Sequence, residues 1–143
     1  TVDIDLKLDP EPAGIFDSIR RLKDELAVNI ELASPDQFLP PLPGWRKRSE
    51  LIAVHGGVEF YHYDLYSQAL AKIERGHRQD QLDVREMLGR GLVDRDELRR
   101  LALAVAGDIA RYPAVDADTL YQKLDEALRV DSMPSAGGAR ENE

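Results

Sequence analysis

The chain has 143 residues, 32% charged and 43% hydrophobic, a size and balance that suit one domain with a real core. Its formal net charge of −8 argues against a protein that coats nucleic acid, since neutralising phosphates takes clustered Lys and Arg. Cysteine is absent, which excludes a disulfide framework and a thiolate metal site; with no apolar run as long as a membrane span and no signal peptide, a cytoplasmic protein is expected.

The first segment, Thr1-Val2-Asp3-Ile4-Asp5-Leu6-Lys7-Leu8-Asp9, alternates apolar and polar residues. As a strand it sends Val2, Ile4, Leu6 and Leu8 to the core and leaves Asp3 and Asp5 side by side on the other face. Two adjacent carboxylates repel unless a cation sits between them. The pair therefore reads either as a solvated acidic edge or as hard oxygen ligands for magnesium. Pro10 and Pro12 lead into a helix with an apolar stripe of Ile15, Ile19, Leu22 and Leu26, and Phe16 beside it. A second strand follows, with Val28, Ile30 and Leu32 on one face and Asn29 and Glu31 on the other. Strand, helix and strand at this spacing predict parallel neighbours joined by a right-handed crossover, with Glu31 facing the same side as Asp3 and Asp5.

Pro35, Pro40, Pro41 and Pro43 exclude regular structure up to Gly44 and predict a loop able to cover a sheet edge or a cleft. Trp45, the one tryptophan, reads as a core plug ahead of a base-stacking platform. Residues 41–90 are the only third of the chain where bases (8) outnumber acids (7), and Arg46-Lys47-Arg48 is its densest patch. That patch reads as a solvated loop anchor, with contact to a polyanion as the alternative. Residues 51–54 and 58–63 flank His55-Gly56-Gly57 as a hairpin whose glycines the turn itself requires, so they are not assigned to phosphate. His55 and His62 have no Ser-His-Asp or Cys-His arrangement around them.

Residues 65–88 predict two helices broken at Gly76. Gln68, Lys72 and Arg75 point one way on the first, and Asp80 and Asp83 share a face of the second. Taken alone this is a structural ion-pair cluster. Asp94 caps a further helix with Leu98, Leu101, Ala102 and Val105 inward, closed by Pro113; another helix runs from Asp116 to Leu128. The expected organisation is a domain over residues 1–112, a helix packed on it over 113–130, and a tail of disordered composition over 131–143.

The Asp3-Ile4-Asp5 strand, the helix after it, the strand Val28-Asn29-Ile30-Glu31-Leu32, and the run from Tyr63 to Val84 with Lys72, Arg75 and Asp80-x-x-Asp83 together resemble the nucleotidyltransferase fold superfamily. Within it the chain is most similar to an uncharacterised bacterial family related to AbiEii-type toxins of toxin–antitoxin and phage-defence systems. The resemblance implies an α/β (α+β) fold, a nucleotidyltransferase-like mixed sheet with helices followed by a helical C-terminal part. It implies catalytic, metal-binding carboxylates at Asp3, Asp5 and Glu31, with neutral Asn29 as the poorer competitor for the third place. It also implies Lys72 and Arg75 at the triphosphate, braced by Asp80 and Asp83. The activity implied is magnesium-dependent transfer of a nucleotidyl group from a nucleoside triphosphate to a hydroxyl of RNA, protein or a small molecule. The alternative is a non-catalytic interaction or regulatory protein of the same fold, paired with a partner such as an antitoxin. The superfamily places a Gly-Ser or Gly-Gly turn before the Asp-x-Asp strand, whereas the pairs here, Gly56-Gly57 and Gly137-Gly138, both follow it. The expectation is that the N-terminal part of the domain lies outside this chain, which alone then binds magnesium and triphosphate weakly and performs no transfer.

Overall fold

Proline and glycine divide the chain into its elements, and a computed structural model describes residues 2–129. In order these are β1 (Asp3–Asp5), α1 (Ile15–Leu26), β2 (Asn29–Glu31), α2 (Trp45–Arg48), β3 (Glu50–His55), β4 (Val58–His62), α3 (Leu65–Arg75), α4 (Arg78–Gly89), α5 (Arg95–Ala104) and α6 (Ala117–Arg129). Short 3-10 turns occupy Pro35–Gln37 and Ala106–Arg111. With 55% helix and 13% strand among the described residues, the class is α+β. Both pairings expected of a mixed sheet occur, in two separate two-stranded sheets: β1 with β2 parallel, β3 with β4 antiparallel. The tail at 131–143 lies outside the described residues.

The helices begin and end where their caps dictate. Asp64 accepts from the Tyr66 and Ser67 backbone amides at the start of α3, and Asp94 accepts from the Glu97 amide at 2.8 Å at the start of α5. Gly76 ends α3 at φ 70°, the left-handed region where a side chain is strained. At Gly56 and Gly57, φ is 56° and 80°, the backbone of a two-residue hairpin turn, which accounts for both glycines.

The core belongs to the helices. Leu70 and Ile73 of α3, Val84, Met87 and Leu88 of α4, Leu98 and Leu101 of α5, and Leu120, Leu124 and Leu128 of α6 form one buried cluster. Each such side chain contributes about 1.5–3 kcal/mol by leaving water. Leu39 and Leu42 from the proline-rich loop join the cluster, so this loop covers the core as well as connecting elements. The α6 helix supplies three buried leucines to the same cluster.

The N-terminal elements differ from the expectation. The alternation predicts burial of Val2 and Ile4, yet the strand spans three residues and Val2 is 62% exposed. Helix α1 has the expected stripe but buries no residue, with Phe16 67% and Leu26 60% exposed. Alternation and periodicity say which side chains share a face, not whether anything covers it. Here a two-stranded sheet and one helix supply too little surface to close over one another. Ile30 on β2 is the exception, and is buried.

Trp45 is half-buried and stacks on Tyr63 with ring centroids 5.0 Å apart and planes 15° from parallel; the Arg46 guanidinium lies 4.6 Å from the ring centre. The indole is thus engaged by the protein's own side chains, outside the buried cluster of the core. The neighbouring basic patch is likewise largely neutralised, Arg46 by Asp9 at 2.7 Å and Arg48 by Asp64 at 2.8 Å.

Candidate active site

The carboxylate face follows from strand register. Aligned residues of neighbouring strands point to the same face, and β1 pairs with β2 as Asp3 with Asn29, Ile4 with Ile30, and Asp5 with Glu31. Asp3, Asp5, Asn29 and Glu31 therefore share one face, and Ile4 and Ile30 the other. The ladder continues through the Asn29 amide to the Val2 carbonyl and the Leu6 amide to the Glu31 carbonyl, both 2.9 Å. All three acidic side chains are exposed. Asn29 Nδ2 donates to Glu31 Oε1 at 3.1 Å, which orients the third carboxylate from its own strand.

The donor set is chemically suited to a hard divalent cation: three carboxylates and an amide oxygen, with no sulfur or imidazole among them. Among the described residues, however, no three such groups are drawn together into a ready cluster. Bare carboxylates on one face repel, so the shared face is a property of the backbone while the side chains stay apart.

The basic side is built on α3. Lys72 Nζ donates to Asp83 at 2.7 Å. Arg75 grips Asp80 with both Nε and Nη2, at 2.8 and 2.5 Å. Spacing of three residues on each helix brings these pairs into a short ladder between α3 and α4. The hydrogen bond from Lys72, with a second from Gln79, holds the Asp83 carboxyl below its ordinary range. The Arg75 hydrogen bond does the same for Asp80, against the effect of burial. Arg75 in turn is raised, first by Asp80 and, beyond that pair, by the charges of Asp5 and Asp83. The Asp5 charge acts on Arg75 without any ion pair or hydrogen bond between them. Lys123 of α6 fixes the end of α3 by donating to the Glu74 carbonyl at 2.7 Å. Gln68 does not join the group; its amide donates instead to the Tyr63 carbonyl at 2.7 Å. An open groove of about 360 Å³ between Leu88 and Asp96 is lined by none of these residues.

A second polar centre was not anticipated as such. Asp64 is fully buried and accepts from Arg48 Nε at 2.9 Å, Arg48 Nη2 at 2.8 Å and the Ser67 hydroxyl at 2.7 Å. Burial pushes its carboxyl up, but the bonds from Arg48 and Ser67 and the Arg48 charge outweigh it and leave Asp64 below its ordinary range. A polar residue just before the helical run at 65–75 was the available signal, since that is where caps sit. Its partner, 16 residues away, had none.

Residues 1–129 match a protein family described as a nucleotidyltransferase of unknown function (DUF6036). The chain belongs to this family. The match spans both the carboxylate strands and the Lys72–Asp83 helices, so this nucleotidyltransferase family member carries its candidate residues within the shared region. Comparison with curated proteins and with solved structures gives no match. Among the described residues no helix is long and apolar enough to cross a membrane.

Proposed function

We propose that the protein binds a nucleoside triphosphate with magnesium and transfers its nucleotidyl group to a hydroxyl acceptor on RNA, protein or a small molecule. The observation that carries this reading is the β1–β2 register, which sets Asp3, Asp5 and Glu31 on one face within a chain of the nucleotidyltransferase family. In this reading Asp3, Asp5 and Glu31 hold the cation, which when bound supplies charge neutralisation at the triphosphate. In the same reading Glu31, whose carboxylate accepts from Asn29, either ligates a second ion or accepts a proton from the attacking hydroxyl. Lys72 exchanges Asp83 for a phosphate oxygen, Arg75 adds positive charge, and Asp80 keeps its guanidinium in place. A toxin–antitoxin or defence setting in the cytoplasm, with an antitoxin as partner, is part of the same proposal.

One observation favours a second reading, a non-catalytic interaction or regulatory protein. Both basic side chains are already engaged by carboxylates, and the acidic face is not gathered. The two readings separate in one experiment: the full gene product is incubated with α-labelled triphosphates, magnesium and total RNA or protein. Label transfer lost in Asp3→Ala and Asp5→Ala supports the enzyme. Transfer that survives both substitutions overturns the site, and inactivity on every acceptor favours the interaction protein.

A further inference from the structure

The β3–β4 hairpin has little cover. Leu51, Ile52, Val54, Val58, Phe60 and Tyr61 are between 44% and 57% exposed, and no other element packs substantially on the hairpin. A lone two-stranded hairpin is marginal in water, and stability needs a third strand or a covering layer. An exposed apolar edge is in turn a template for another strand.

The register identifies the free backbone groups. His55 and Val58 flank the two-glycine turn and form its hydrogen-bonded pair. By alternation Phe60, opposite Ala53, also bonds β3, while Glu59 and Tyr61 turn their N–H and C=O to the open side. Among the described residues no backbone bond from another segment reaches Glu59 or Tyr61. The outer edge of β3 is the poorer template, because a bulge between Leu51 and Ala53 breaks its regular spacing.

We propose that β4 pairs antiparallel with β4 of a second copy about a two-fold axis through Phe60, giving a four-stranded sheet in the order β3-β4-β4-β3. A two-fold interface must be self-complementary, and this strand is. Glu59 falls opposite Tyr61 of the second copy and Val58 opposite its His62, so no like charges face one another. The outward backbone groups of Glu59 and Tyr61 meet in hydrogen-bonded pairs, and the two Phe60 rings meet at the non-hydrogen-bonded position, where side chains are closest. On the opposite face the Tyr61 hydroxyl already donates to Glu59 within one strand at 2.6 Å. The same bond forms across the axis without leaving either group unpaired.

Sedimentation equilibrium through the micromolar range tests this, with twice the 16.1 kDa chain mass expected at the upper end. Glu59→Pro removes an outward N–H, which a hairpin edge tolerates, and should return the single-chain mass with the helical circular dichroism unchanged. Because the chain has no cysteine, Phe60→Cys places one thiol per copy at the axis. Oxidation with added diamide should link the two thiols as a disulfide, whereas Leu103→Cys on the exposed side of α5 should link far more slowly. A single-chain mass at every concentration overturns the proposal, as does a dimer that survives Glu59→Pro. Equal cross-linking of the two cysteine variants overturns it too. Slow amide exchange at Glu59 and Tyr61 in a monomer would show that another part of the same chain covers the edge, which also refutes it.

Discussion

Asp64→Ala should be the most damaging single polar substitution in the described chain. The carboxylate is fully buried and accepts five hydrogen bonds, three from Arg48 and the Ser67 hydroxyl and two from the Tyr66 and Ser67 amides. Loss of the helix cap alone costs about 1 kcal/mol. Breaking a buried pair costs about 3–5 kcal/mol when the partner is left uncompensated. Arg48 keeps its bond to the Pro43 carbonyl at 2.6 Å, and its side chain is 24% exposed, so part of its charge regains water. The total should therefore fall near the lower end, about 3 kcal/mol. Urea unfolding followed by circular dichroism reads this directly: at a slope of roughly 1–3 kcal/mol per molar, the midpoint falls by about 1 M or more. Asp94→Ala, a solvent-exposed cap on α5, is the internal comparison at about 1 kcal/mol. If the two variants lose the same stability, the buried pair contributes nothing beyond capping and the reasoning fails. The pH dependence has a definite sign. Asp64 is lowered in the folded state, so its stabilisation is complete above the ordinary value of 3.8 and fades as pH falls below that toward the folded-state value. In Asp64→Ala this part of the acid sensitivity should be absent.

Gly76→Ala tests the end of α3. The added Cβ meets nothing closer than 3.6 Å, so the cost is backbone strain at φ 70°, about 1–2 kcal/mol by thermal melting; an unchanged melting temperature would refute the strain. Lys72→Gln should change stability by less than about 1 kcal/mol, since the Lys72–Asp83 pair is partly exposed. The same variant should weaken triphosphate binding measured by calorimetry in magnesium, and equal affinity in the two proteins would remove Lys72 from the substrate site.

The sequence exposed most clearly what is encoded locally. Asp94 as a cap, Gly76 as a break, and the inward Leu98, Leu101 and Ala102 all follow from helical spacing and cap chemistry within a few residues, and all are present. Parity along two short strands likewise placed Glu31 on the face of Asp3 and Asp5, which the register shows. What depends on distant partners was not legible. Arg46 meets Asp9 across 37 residues, and Arg48 meets Asp64 across 16, so a patch that looks basic in sequence is largely neutral in the fold. Val2 and Leu26 fall on apolar faces by period, yet both are exposed, because nothing in a periodic pattern reveals whether a covering layer exists. Leu39 and Leu42 are the converse, core residues inside a loop whose prolines conceal any period.

Manganese binding, followed by its electron paramagnetic resonance signal, tests the central assignment without requiring turnover. The wild-type protein should hold manganese at a site that tightens when a nucleoside triphosphate is added. Binding should weaken at least tenfold in Asp3→Ala, Asp5→Ala and Glu31→Ala, a loss of about 1.4 kcal/mol or more in each. Manganese bound equally well by all three variants, or no manganese bound with triphosphate present, would contradict the assignment.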